Sequence, residues 1–330
     1  MPLLTKVRSS LAHNTFRTIE TDWGSDVYTP MRHPDRGSEI GSSVSSVPPY
    51  SRRPCGSTEC SNGWRAPWRN RQRPIFEEQW GCSGRCILAM VRAAICRELG
   101  DAAEFASPVP HRHRIPLGLL MLAQGWITHP QLRSALEAQR ESGTGKIGQW
   151  LVQKCDVDQE HVIRALGMQW GCPVLTTDGF SPAAMALVAP RLLIERFGSV
   201  PIRVAGSRIL YLAFADRLDA SVALALEKMT ELKVVSGVAN GTQLDLARKQ
   251  LLVCDEVEVK IEAAEDTDAM AARITAIIEQ KQPIASRVVR MHNLYWLRLW
   301  LERGALGRTG TIPRTREDVK DYLFTAGSPL

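Results

Sequence analysis

Pro116 to Gln139, PLGLLMLAQGWITHPQLRSALEAQ, aligns without gaps on Lys146 to Gln169, KIGQWLVQKCDVDQEHVIRALGMQ. Gly118/Gly148, Ala135/Ala165, Leu136/Leu166 and Gln139/Gln169 are identical pairs. Apolar character is kept at Leu117/Ile147, Met121/Leu151, Leu122/Val152, Ile127/Val157 and Leu132/Val162. Each copy reads as a short helix, a turn and a longer helix. The second helix opens on a capping residue at the matching place, Thr128 in one copy and Asp158 in the other. Such a side chain accepts hydrogen bonds from N–H groups that the first helical turn leaves unpaired. Gln131 completes a capping box with Thr128, and Ile127 with Leu132, like Val157 with Val162, take the staple positions around those caps. Two helix pairs of one shape, alike under a twofold, are therefore expected. In that packing Leu120, Met121, Leu122, Leu132 and Leu136 are core.

The 330 residues are enough for two or three domains. At 44% hydrophobic and 23% charged the chain is neither wholly disordered nor fibrous. The longest apolar stretch, Ile115 to Ile127, is interrupted by Pro116, Gly118, Gln124 and Gly125, short of the roughly 18 residues a spanning helix needs. The N-terminus places charges where a secretory signal has its apolar core. The expected location is cytoplasmic.

The fold class expected is α+β: a tandem helix-pair repeat, then a small α/β unit, with a cysteine-rich, zinc-ribbon-like arm in front. Residues 1–50, rich in Ser, Pro and His without apolar periodicity, read as a disordered tail. Residues 51–100 form the cysteine module and a helix, 101–114 a proline-bearing linker, and 115–170 the repeat. In the small α+β unit, 171–253, a helix is broken by Pro190, a hairpin turns at Gly206-Ser207, and a helix, a strand and a helix capped by Thr242 follow. Residues 254–265 read as an acidic connector, 266–305 as a helix and a hairpin turning at His292-Asn293, and 306–330 as a loose tail.

Cys55, Cys60, Cys82 and Cys86 are spaced C-x4-C and C-x3-C, with Ser61 to Gly81 looping between the pairs. Reduced cysteines in paired short spacings suggest a tetrahedral zinc site before a disulfide. Trp64, Trp68, Phe76 and Trp80 between the knuckles supply apolar area for a small core around the metal. Four thiols in a mobile arm are the alternative. Cys96, Cys155, Cys172 and Cys254 lack partners at ligand spacing, and His111 and His113 sit in an arginine-flanked linker. Between residues 52 and 114 lie eleven arginines, six acidic residues and no lysine, a basic patch fit for phosphate or acidic protein. Beyond it the chain is nearly neutral, which leaves nucleic acid a secondary partner. No set of nucleophile, acid and base stands out for catalysis.

Residues 115 to about 252 resemble the N-terminal domain of the ATPases of type II secretion and type IV pilus systems. That domain carries tandem motifs of the form Arg-Leu-Gly, two apolar residues, a Gly-apolar turn, then Leu-xxx-Leu-xx-Gln. The stretch APRLLIERFGSVPIRVAGSRILYLAFADRLD matches its continuation. The resemblance implies a helical half followed by a small α/β half, and in some members the tandem motif binds cyclic di-GMP. Carried onto this chain, the implied ligand residues are Arg114, Leu117, Gly118, Gln139, Lys146, Ile147, Gly148 and Gln169. The first copy has Pro116 in place of the motif arginine, losing a cation and an N–H; Arg114 lies two residues upstream. Lys146 keeps the charge in the second copy without the guanidinium fork, and the turn glycine, Gly125, becomes Cys155.

The motor half of such ATPases needs a Gly-x4-Gly-Lys-Ser/Thr loop; SGTGKIG lacks the first glycine and the hydroxyl after Lys146. The function expected is a non-enzymatic adaptor or regulator, its arm on zinc and its repeat on cyclic di-GMP or a protein component of a secretion or pilus machine. A zinc-dependent, nucleic-acid-binding regulator is the alternative.

Overall fold

The computed structural model packs an N-terminal hairpin and helix against a sheet from the C-terminal part of the chain. It describes residues 55–61, 74–106, 114–206, 208–301 and 312–326, side chains excepted at 101–106 and 326. The tail expected over 1–50, the arginines at 52–73, Trp64, Trp68, His111 and His113 lie outside these residues.

A hairpin of β1 (Ile75–Phe76) and β2 (Gln79–Trp80) turns at Glu77 and Glu78, both at positive φ (45° and 64°). Helix α1 (Gly84–Ala106) follows. It continues past the expected boundary at residue 100, so the first residues of the expected linker are helical. An Asp-Ala-Ala-Glu sequence is a good helix former, and no proline intervenes before Pro108.

The repeat is α2 (Leu117–Ala123), α3 (His129–Ser142), α4 (Ile147–Cys155) and α5 (Gln159–Trp170). Thr128 accepts from the Gln131 N–H and Asp158 from the Glu160 N–H. The first helix of each copy packs on the second helix of the other, α2 on α5 and α4 on α3. That exchange is what a local twofold produces. The copies supply matching core residues: Met121 and Leu151, Ile127 and Val157, Ala135 and Ala165 are all buried. Leu136, expected in the core, is 36% exposed, whereas its counterpart Leu166 packs against the cluster. The turn also differs. Gly125 takes φ 71°, but in the second copy the left-handed residue is Asp156 (φ 51°), because α4 runs two residues further than α2, through Cys155.

The α/β unit runs α6 (Pro182–Met185), α7 (Arg191–Phe197), β3 (Val200–Ala205), β4 (Ile209–Phe214), α8 (Ala220–Thr230), β5 (Lys233–Val238) and α9 (Gly241–Leu252). Pro190 immediately precedes α7 and separates it from α6. The strand order is β3-β4-β5, antiparallel then parallel. α9 is capped by Asn240, whose Oδ1 accepts from the Thr242 and Gln243 N–H groups, rather than by Thr242. Asn two residues earlier reaches the same orphan donors with a side chain that Thr242, already helical, cannot aim at them.

The C-terminal part consists of β6 (Val259–Ala264), α10 (Thr267–Lys281), β7 (Ala285–Met291), β8 (Leu294–Trp300) and β9 (Val319–Ala326). Two expectations fail here. The acidic connector contains β6, and the loose tail contains β9, an interior strand in the order β6-β9-β8-β7. β8, LYWLRLW, is buried at every position, as a strand covered on both faces must be. Tyr295, Leu297 and Leu299 face a core shared with Phe76, Ile87, Val91 and Ile95 of the arm and with Ile274 and Ile278 of α10. Leu294, Trp296 and Trp300 face the core of the α/β unit. Arg298 is directly opposite Asp321 in the ladder, and its Nε and Nη2 donate to the two carboxylate oxygens at 2.8 and 2.7 Å. Buried Glu98 ties α1 to its neighbours, accepting from Lys228 Nζ at 3.1 Å and from the Arg290 N–H at 3.1 Å.

Candidate functional site

The four arm cysteines converge. Cys82 precedes α1, and Cys86 lies in its first turn, where the helix end favours a thiolate. The Cys55–Cys60 knuckle folds over the hairpin: the Gly56 N–H donates to Trp80 O at 2.9 Å, and the Cys60 N–H to Ser57 O at 3.2 Å. All four Sγ atoms lie within 4.8 Å of one another. Cys60 and Cys82, and Cys82 and Cys86, have sulfurs 3.5 Å apart. A tetrahedral metal at a metal–sulfur distance of about 2.3 Å sets sulfurs about 3.8 Å apart. The donor set thus fits a thiolate-ligated metal ion.

The protons of the cluster are shared unevenly. Burial, then hydrogen bonds with Cys86, Cys60 and Cys55, push the Cys82 thiol up to about 12. Burial also raises Cys55. Burial acts upward on Cys86 as well, but hydrogen bonds with Ser83 and the neighbouring thiols outweigh it and hold that group at about 7. A cation binding here displaces protons.

The hairpin that carries the knuckle is anchored on β7. The Ile75 N–H donates to Pro283 O at 3.2 Å, the Glu77 N–H to Ser286 O at 2.8 Å, and Ser286 Oγ to Ile75 O at 2.9 Å. Phe76, expected beside a metal in a core of its own, is buried in the core of α1, α10 and the large sheet; Trp80 is half-buried.

Of the eight repeat residues, the two glutamines reach across the local twofold. Gln139 Nε2 donates to Gly145 O at 2.9 Å, and Gln169 Nε2 to Ile115 O at 2.7 Å. Each glutamine therefore holds the carbonyl two residues before the other copy's first helix. A Cβ on Gly118 would stand 2.5 Å from Leu132 Cδ1, and one on Gly148 would stand 2.7 Å from Val162 Cγ1 and 3.4 Å from Leu117 Cδ2. The glycines thus admit a neighbouring helix, and the starts of α2 and α4 touch. Leu117 is buried and Ile147 packs on the same cluster. Arg114 sits over Trp170, its Cζ 3.4 Å from the ring centroid, and Trp170 meets Phe214 edge-on at 5.7 Å. Lys146 is paired with Asp216, just after β4.

Trp170 and Asp216 were missed in the sequence. Trp170 directly follows the motif glutamine, but Asp216 is separated from Lys146 by the rest of the repeat and half of the α/β unit, and no local spacing relates the two.

No family model matches the chain. The type IV pilus assembly ATPase PilB of Myxococcus xanthus (strain DK1622) is 27% identical over 170 residues, 47% of this chain. The chain spans 30% of the length of that relative. Among solved structures, MshE with cyclic di-GMP shares 23% identity at a TM-score of 0.35, over 42% of this chain and 99% of that one. The N-terminal domain of XpsE shares 16% identity at a TM-score of 0.28, over 41% and 92%. Among the described residues no helix is long and apolar enough to cross a membrane. With the sequence match beside its tandem motifs, the chain resembles the N-terminal domains of type II secretion and type IV pilus ATPases.

Proposed function

We propose that this chain is a non-enzymatic cytoplasmic adaptor of a type II secretion or type IV pilus machine, with a structural zinc ion on Cys55, Cys60, Cys82 and Cys86. Its repeat docks a protein component of that machine. The observation that carries this reading is how the motif residues are spent. The glutamines bind carbonyls, the glycines admit helices, Arg114 covers Trp170 and Lys146 pairs with Asp216. Shape is thereby kept while the gripping groups turn to the fold. The relation to a pilus assembly ATPase supports the choice of machine. Zinc is the choice of metal because an all-thiolate tetrahedral set suits it.

Calorimetry of the purified chain against the assembly ATPase of its own machine should show saturable binding, weakened by Leu119→Asp at a side chain 53% exposed on α2. An absence of heat would overturn the docking reading. Elemental analysis should return one zinc per chain, and less than one equivalent would remove the metal assignment.

A second reading, a cyclic di-GMP site, is favoured by the contact between the starts of α2 and α4. A ligand with its own twofold and two phosphates suits two helix starts related in the same way. Lys146 and Asp216 are 59% and 55% exposed, so a phosphate could take the place of the carboxylate. Micromolar binding weakened by Lys146→Ala would establish this reading, and no heat at millimolar ligand would end it. A salt-dependent shift of labelled duplex would instead point to the arginines at 52–73 and a nucleic-acid role.

A further inference from the structure

β6 ends one side of the four-stranded sheet, and among the described residues no strand lies beyond it. At the other side, the start of β7 is met by the arm hairpin, whose Glu77 N–H donates to Ser286 O and whose Ile75 N–H donates to Pro283 O just before the strand. Which groups β6 turns outward follows from its register. It runs parallel to β9 with Val259 opposite Asp321, and the Asp321 N–H donates to Glu258 O. Even-numbered residues therefore direct their backbone groups at β9, while Val259, Ile261 and Ala263 direct theirs away from the sheet. Ile261 is 56% exposed, and β6 has neither a proline nor a break in its register. Such an edge is a template for another strand.

The sequence of the edge selects the strand. Laid antiparallel on a second copy of itself about a twofold at Ile261, β6 sets Ile261 opposite Ile261, Val259 opposite Ala263, and Lys260 opposite Glu262. The odd-numbered pairs are then the ones that exchange N–H···O bonds, using the groups that face outward. Lys260 and Glu262 fall at the non-hydrogen-bonded pairs, where side chains approach most closely. Opposite charges at such a pair stabilise and like charges repel. On the inner side Glu262 already accepts from Arg273 Nη2 of α10 at 2.9 Å, so each Lys260 would join an existing ion pair. Charges along an edge ordinarily keep foreign strands away; here their order complements itself.

We propose that the protein forms a symmetric dimer through β6, the two sheets joining edge to edge into one. Light scattering on the full chain after size exclusion, over a dilution series, tests it. The wild type should show twice the 36.7 kDa chain mass. Ile261→Pro should be monomeric with an unchanged far-UV spectrum, because the N–H it removes points away from β9. Lys260→Glu changes a side chain 54% exposed and sets like charges opposite one another; it should be monomeric too, and it decides the matter if the proline variant misfolds. A wild type that stays monomeric at its highest soluble concentration overturns the proposal, as does a Lys260→Glu chain that remains dimeric.

Discussion

Gly118 and Gly148 hold the same place in the two copies because a helix passes over each, and the two sites are not equally forgiving. A methyl on Gly118 meets the far end of Leu132, and one on Gly148 meets Val162 Cγ1, a branch fixed at Cβ. Overpacking costs about 1–3 kcal/mol, against a helix-propensity gain of up to about 1 kcal/mol. Gly148→Ala should therefore destabilise by about 1 kcal/mol or more, and Gly118→Ala by less; urea midpoints measure both, and a reversed order would refute the steric account. The identity of this pair was legible in the sequence; the packing reason was not, since Leu132 and Val162 come near only once the helices close. A sharper test concerns Arg298 and Asp321, 1% and 0% exposed. Asp321→Ala strands a buried guanidinium and should cost about 3–5 kcal/mol. Replacing both partners by Met and Leu should cost less than that single change, as thermal melts of the three variants would show.

Among the elements, β9 shows how a strand can hide in a polar stretch. The segment Ile312 to Asp318 before it has proline, arginines and acids, the marks of a loop. Yet Val319 and Leu323 pack on one side of the sheet, and Tyr322 and Phe324 on the other. A chain ending at residue 311 would leave β6 and β8 without their common neighbour, and this part should lose cooperative unfolding and amide protection along Leu294–Trp300. Retained protection in hydrogen exchange would contradict the topology. β6 was obscured for a related reason. Its charged alternation is that of a half-exposed edge, and its ladder lies with β9, on the far side of α10, β7 and β8 in the chain and so beyond any local pattern. The helices of the repeat were legible because caps, staples and apolar spacing act within a few residues.

At the scale of the whole molecule, the cysteine cluster joins a short knuckle to α1, and through the hairpin to β7. Metal bound well above its dissociation constant adds about 4 kcal/mol to the folded state, which for a chain of this size corresponds to a shift of about 6 °C. Stripping the metal with a chelator should lower the melting temperature on that scale and speed amide exchange at Ile75 and Glu77. An unchanged melting curve would show that the thiols hold nothing structural. The sequence by itself determined the repeat with its caps, the α+β class and the four-cysteine set, because each is written in spacings of a few residues or in two copies of one pattern. Only the tertiary structure decided that the arm shares its core with the C-terminal sheet, that Lys146 is paired with Asp216, and that an apparent connector and an apparent tail each hold a strand. Sheet pairing and ion pairing are satisfied across space, and burial on both faces exists only after distant segments have met.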